Sequence, residues 1–227
     1  MKLYGFLIVA IISCFLIVSC DDVDKLINGD EDPNELGGST DIPINSVGNE
    51  FGLIISADGE SIQGNEDIKI KENQNGILTL TVKGDLSNYP EYVSILKNSP
   101  IPIPVENGIV NFETQFKSTS NGIQDNFNAD KAFVTLAKYD AKVGDTYTYT
   151  PSTGEKIVRR VTKKSTTDDF EYGFMHIKVI EVEQETTVSG IDKFIYKVNH
   201  KYGLVHFIML MEDGSTVSSY VLPQIHN

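Results

Sequence analysis

The chain has no tryptophan and only two cysteines, and no basic cluster answers its many acids. Each absence closes off a class of protein. Cys14 lies in the apolar run near the start and Cys20 directly ends it, so no thiol pair is left to staple the rest. Stability must come from a buried core, not from disulfides. Nineteen Lys and Arg face 32 Asp and Glu, a net charge of −13, and removing residues 1–19 takes away Lys2 alone and makes it −14. Nucleic-acid binders need clustered Lys and Arg to displace counterions, so no nucleic-acid partner is expected. Without Trp, sugar-stacking platforms would rest on Tyr147, Tyr149, Tyr172 and Tyr196, residues that more often fill strands and cores.

Catalytic signatures are missing too. His176, His200, His206 and His226 show no His-x-His or His-x-x-x-His spacing, so no metal site is expected. Asp168, Asp169 and Glu171 lack the calcium-loop pattern and read as a turn. There is no Gly-x-Ser-x-Gly elbow, phosphate loop or dinucleotide fingerprint, hence no expected cofactor and no catalytic residue. A hydrolase with two carboxylates distant in sequence stays open as the weakest reading.

What is present begins with Met1 to Cys20. Lys2 gives a short positive start, Leu7 to Val18 is almost unbroken apolar sequence, and Ser19 is small. The run is shorter than the roughly 20 residues of a spanning helix and has the parts of a secretory signal. The ending Ile17-Val18-Ser19-Cys20 resembles the lipobox of bacterial lipoproteins. That resemblance implies cleavage between Ser19 and Cys20 and lipidation of Cys20 with acyl chains such as palmitate. Several chains matter, because one alone anchors only marginally. An ordinary signal peptide with a chance cysteine, or an uncleaved anchor, is the alternative.

Residues 20–47 read as a flexible acidic tether. Asp21, Asp22, Asp24, Asp30, Glu31, Asp32 and Glu35 surround the single Lys25, too polar a stretch to offset its ordering entropy. Acids straight after the cysteine resemble the export signal of Bacteroidota surface lipoproteins, and Asp there resembles an inner-membrane retention signal in enteric bacteria. A plain spacer is the third reading.

From residue 48 the period becomes two, and 48–227 is expected to form a single mainly β domain, with a first half at 48–120 and a meander at 143–223. Phe51 to Ala57 ends at Asp58-Gly59; Ile68 and Ile70 face Leu78, Leu80 and Val82 across Asn75-Gly76; Asn107-Gly108 precedes Val110, Phe112 and Phe116. Asn88 and Pro90 suggest a short helix burying Val93 and Leu96, and Pro100 to Pro104 an extended connector. Asn121 to Asp140 is ambiguous between helix and extended chain, and extended or mixed is preferred. The meander runs Thr146–Thr150, Ile157–Thr162, Phe170–Glu185, Lys193–Asn199, Leu204–Glu212 and Thr216–Leu222. Phe170–Glu185 changes phase and is expected to carry bulges near Phe174-Met175 and Val179-Ile180, or to be buried on both faces. Glu181, Glu183, Gln184 and Glu185 suggest an acidic strand edge. Leu204 to Met211 is apolar on both faces, which predicts a central strand covered on both sides and paired with Lys193–Asn199. The expected class is an antiparallel curved sheet, half-barrel or sandwich with at most one or two short helices.

Val143-Gly144-Asp145-Thr146-Tyr147 and Asn199-His200-Lys201-Tyr202-Gly203-Leu204-Val205, either side of a strong meander, resemble Bacteroidota envelope lipoproteins. They are also weakly similar to periplasmic β-clam proteins, including lipoprotein carriers of the Lol type. The resemblance implies an apolar groove in a curved sheet, and no ligand-binding position carries over. The expectation is a non-catalytic envelope protein, anchored to a membrane, the outer one preferred, through its N-terminal lipid. It would bind an apolar ligand or a partner protein, or serve as an accessory subunit of a surface complex.

Overall fold

The computed structural model describes residues 34–62, 67–88 and 104–224, together with Pro90 and Val93. Strands begin where the alternation begins. β1 (Glu50–Ala57) turns through Asp58-Gly59 into β2 (Glu60–Ile62), β3 (Asp67–Gln74) through Asn75-Gly76 into β4 (Ile77–Asp85), and β5 (Val105–Glu106) through Asn107-Gly108 into β6 (Ile109–Thr119). In each turn both central residues have positive φ, between 49° and 85°. Such two-residue turns match the right-handed twist of the strands they join, and Asn, Asp and Gly tolerate that backbone.

The ambiguous stretch 121–140 is extended: β7 (Gly122–Asp125) and β8 (Val134–Lys138) pair antiparallel. Then follow β9 (Thr146–Tyr149) and β10 (Ile157–Lys164), β11 (Phe170–Tyr172), β12 (Met175–Ile177), β13 (Ile180–Glu185), β14 (Ile191–Asn199), β15 (Gly203–Met211) and β16 (Thr216–Gln224). Fourteen strands make one antiparallel sheet along the path β8-β7-β6-β4-β3-β1-β16-β15-β14-β13-β10-β9, with β2 on β1 and β5 on β6. The ends of that path, β8 and β9, are consecutive in sequence and touch, so the sheet curls into a nearly closed barrel. The expected mainly β, antiparallel class is what forms.

The largest core lies inside that curl. Ile123, Leu136, Ala137, Tyr147, Val161, Ile180, Val182 and Val198 pack β7 and β8 against β9, β10, β13 and β14. Gly122 lets β7 and β8 come together, since a Cβ there would overlap the Ala137 carbonyl. A smaller cluster of Leu86, Val105 and Val110 takes in Val93 at its edge. Pro90 and Val93 have helical backbone; the rest of the expected helix, and the connector before Pro104, lie outside the described residues.

Four expectations change. Phe170–Glu185 is not one bulged strand, because the chain reverses at Gly173-Phe174 (Gly173 φ 60°) and β11–β12 form a separate hairpin. β13 is no edge but lies between β10 and β14, and Glu183 and Glu181 meet Lys193 and Lys197 at 2.7 and 3.5 Å. β15 is central and pairs with β14 as expected, yet only Val205 and His206 along it are fully buried and Ile208 is half-buried. A bulge opposite Lys197-Val198 also breaks its alternation, so that Leu204 packs on the inner core while Val205 and His206 pack with the hairpin. Lastly, residues 34–47, read as the end of a tether, are packed along the sheet. Leu36 is buried, Thr119 Oγ1 donates to Gly37 O (2.7 Å), and Asn45 Nδ2 donates to Ser118 Oγ (3.0 Å).

Candidate functional site

The inner face of β13, β14, β15, β16 and β1 can be read row by row. Val182, Tyr196, Phe207, Ser219 and Ile55 are successive partners across these strands, and Gln184, Phe194, Met209, Val217 and Ala57 form the next row. Tyr196 packs on the inner core, which identifies the face. The first row starts dry, with Val182 fully buried, and then opens: Tyr196, Phe207 and Ile55 are half-buried, as are Phe194 and Met209 beside them. Their rings form a ladder, Phe194 stacked on Phe207 (centroids 5.7 Å, planes 26° apart) and Tyr196 5.3 Å from Phe207. Half-buried apolar side chains keep area that a further cover would remove from water.

At the dry end stands Arg159, 1% exposed. Its Nη2 meets Asp125 Oδ2 at 2.8 Å, Nε donates to Gln184 Oε1 (2.8 Å), and Nη1 donates to Val134 O and Thr135 O (3.1 and 3.2 Å). The guanidinium also lies 5.6 Å from the centre of the Tyr196 ring. Burial works to lower the Arg159 pKa, but the charge and hydrogen bond of Asp125, with help from Tyr196, hold it above its ordinary value. Burial raises the Tyr196 hydroxyl pKa in turn. A charge so fully matched holds structure: β8 has no ladder to β9 or β10, and Arg159 reaches its carbonyls instead. Outside the same seam, Asn34 accepts from Thr135 N (2.9 Å) through Oδ1 and donates from Nδ2 to Thr148 O (3.1 Å), and its carbonyl accepts from Gln124. One N-terminal residue thus spans β8 and β9.

On the outer face the β11–β12 hairpin covers the middle of the sheet, packing Tyr172 and Ile177 with Val179, Val205, Phe170, Tyr202, Tyr220 and Leu222. Below it His206 stacks on Tyr220 at 4.0 Å. Burial, then the nearby Lys197, pushes the His206 pKa down to about 4. At the hairpin tip Phe174 is fully exposed and Met175 half-exposed.

Most residues weighed from sequence do not converge. His176 and His200 are both exposed, His226 lies outside the described residues, and no His, Cys, Asp and Glu cluster able to hold a metal occurs among those described. Asp169 accepts from Ser165 Oγ in a turn, and Asp168 lines an open hollow of about 340 Å³ with Lys178, His200, Lys201 and Tyr202. Tyr147 uses its hydroxyl to accept from Lys138 N (3.2 Å), Tyr149 donates to Asp130 (2.8 Å), and Tyr172 donates to Val221 O (2.6 Å). Ser19 and Cys20 lie outside the described residues. Sequence reasoning passed over Arg159 and Asp125, although Arg159 shares the parity of Ile157 and Val161 in β10. A charge on the apolar parity of a strand was the available signal.

No family model and no curated protein matches this chain. Among solved structures it is similar to a protein from Bacteroides fragilis described as exported and as having a YmcC-like fold. The identity is 7%, the TM-score 0.46, and the match covers 80% of this chain and 97% of that one.

Proposed function

We propose that this chain is a non-catalytic, lipid-anchored protein of the cell envelope, held at the outer membrane by acyl chains on Cys20, whose curved sheet takes up an apolar ligand on its inner face. The observation that carries the proposal is the half-buried patch of two adjoining rows, Tyr196 and Phe207 beside Phe194 and Met209. It continues a dry core and has the ring faces to hold an acyl chain by contact area alone. The anchor rests on Ile17-Val18-Ser19-Cys20 after the apolar run. The non-catalytic part rests on Arg159, Asp125 and Gln184 already satisfying one another inside protein. Native mass spectrometry of the chain extracted from its own host is the test. A bound lipid that is lost in Phe207→Asp supports the reading; a chain with no adduct beyond its own anchor overturns it. A second reading, an accessory subunit of a surface complex, is favoured by the solvent-exposed Phe174 at the hairpin tip and would show as a co-extracted protein lost in Phe174→Ser.

A further inference from the structure

His206 is the least settled polar group of the described residues. It is 6% exposed, yet neither Nδ1 nor Nε2 has a hydrogen-bond partner. Buried polar atoms are nearly always paired, so an orphaned imidazole asks for a reason. Its ring is held by faces instead: Tyr220 at 4.0 Å and 18°, and Phe170 of the hairpin at 5.8 Å and 32°. Phe170 in turn carries the Lys197 ammonium 4.8 Å from its centre. This packing suits a neutral imidazole. Aromatic faces attract a cation, but a protonated ring would bury two N–H donors without an acceptor, beside a lysine.

The cover over His206 is hinged. At its base Ser165 N donates to Val179 O (2.8 Å) and Asn199 Nδ2 to Lys178 O (2.7 Å), which pins both arms. Between those pins, among the described residues, the hairpin meets the rest of the chain through the Tyr172–Val221 hydrogen bond, a Tyr202 to Met175 sulfur contact at 3.5 Å, the Lys197 ammonium over Phe170, and apolar and ring packing. No ladder joins β11 or β12 to the main sheet.

We infer that the β11–β12 hairpin is an acid-released strap: protonation of His206 lifts it from β15 and β16 while the main sheet stays paired. Opening uncovers Phe170, Tyr172, Tyr220 and Leu222 on the outer face, beside a tip that already presents Phe174. The groups that face His206 are Lys197 of β14, itself 3.5 Å from Glu181 of β13, Tyr220 of β16 and Phe170 of the hairpin; Tyr172 and Tyr202 pack on each other in the cluster that takes in Phe170 and Tyr220. Glu171 and His176, opposite each other on the hairpin, are exposed. Lys197 is the charge that acts on the ring.

The sign follows from the two protonation equilibria. With the strap closed, the His206 pKa is about 4, against 6.5 for a solvated imidazole. Closure is fully favoured above pH 6.5, weakens as the pH falls toward 4, and weakens no further below. The gap corresponds to a shift of about 300-fold in the open-to-closed ratio, ten-fold per pKa unit.

The lack of tryptophan makes the test direct. In the full chain in detergent, Phe170→Trp places a lone reporter on the ring stack. Between pH 7.5 and 4 its emission is expected to move to longer wavelength and its acrylamide quenching to rise, with far-UV circular dichroism unchanged. Adding His206→Phe, which keeps the stack and removes the titrating group, should abolish the change. A transition that survives His206→Phe, the absence of any transition, or loss of the dichroism signal at the same pH would overturn the inference. Should the reporter variant fold poorly, hydrogen exchange of residues 170–177 in the unaltered chain decides. Corrected for intrinsic rates, protection lost at pH 5 and kept in His206→Phe supports the strap; equal protection at pH 5 and 7.5 refutes it.

Discussion

Arg159 stands where the alternation of β10 asks for an aliphatic side chain, and it answers with donors in three directions. Replacing it by Met leaves the Asp125 carboxylate buried without its partner, and Val134 and Thr135 lose a donor to their carbonyls. Removing one member of a buried pair costs about 3–5 kcal/mol, so urea unfolding of Arg159→Met should show a loss of that size. Arg159→Lys should recover little, because an ammonium is a point donor and cannot copy a planar fork. The aliphatic positions sort by burial, not by hydropathy. Leu136, 0% exposed, should cost about 2–5 kcal/mol as Leu136→Ala. Ile208→Ala, at a half-buried position of the strand that sequence alone places deepest, should cost about 1 kcal/mol, nearer one methylene's burial than a cavity's cost.

At the scale of elements, the hairpins were open to reading because their signals are local. Asp58-Gly59, Asn75-Gly76 and Asn107-Gly108 each need positive φ at two adjacent residues and sit between alternating runs. Phe170–Glu185 was half legible: its parity changes at 174–175 and 179–180, and the chain does break at both places. A parity change, however, is the same for a bulge and for a reversal, and what decides is the packing of Phe170 and Tyr172 on β15 and β16, far away in sequence. The seam was illegible for a similar reason. Asn34 bonds to Thr135 and Thr148 across more than a hundred residues, and the acids around it hide Asn34 and Leu36 in a stretch that reads as solvated. The prediction is that a chain beginning at Asn34 is stable while one beginning at Asn49 melts lower or opens at β8–β9, measured by thermal denaturation and by hydrogen exchange of residues 134–149. Equal stability of the two would show that residues 34–48 only lie along the sheet.

At the scale of the molecule, the proposed anchor and the proposed ligand face can be tested one without the other. Cys20→Ser should move the chain from the membrane fraction to the soluble one and remove the acyl mass, whatever the inner face binds; a variant that stays membrane-bound with unchanged mass would refute lipidation. The topology carries one more consequence. β1 and β16, the first and last strands described, lie side by side along eight partnered residues, from Glu50 opposite Gln224 to Ala57 opposite Val217. The ladder that joins the two halves of the sheet therefore cannot start until the last strand has been delivered. Contacts so distant in sequence make folding slow, since the whole intervening loop must close before any pairing repays it. The pairing of β1 with β2 and β3 needs no such wait, so the β1–β16 seam is where a partly delivered chain stays open: until the last strand arrives, the two halves of the sheet have no ladder between them.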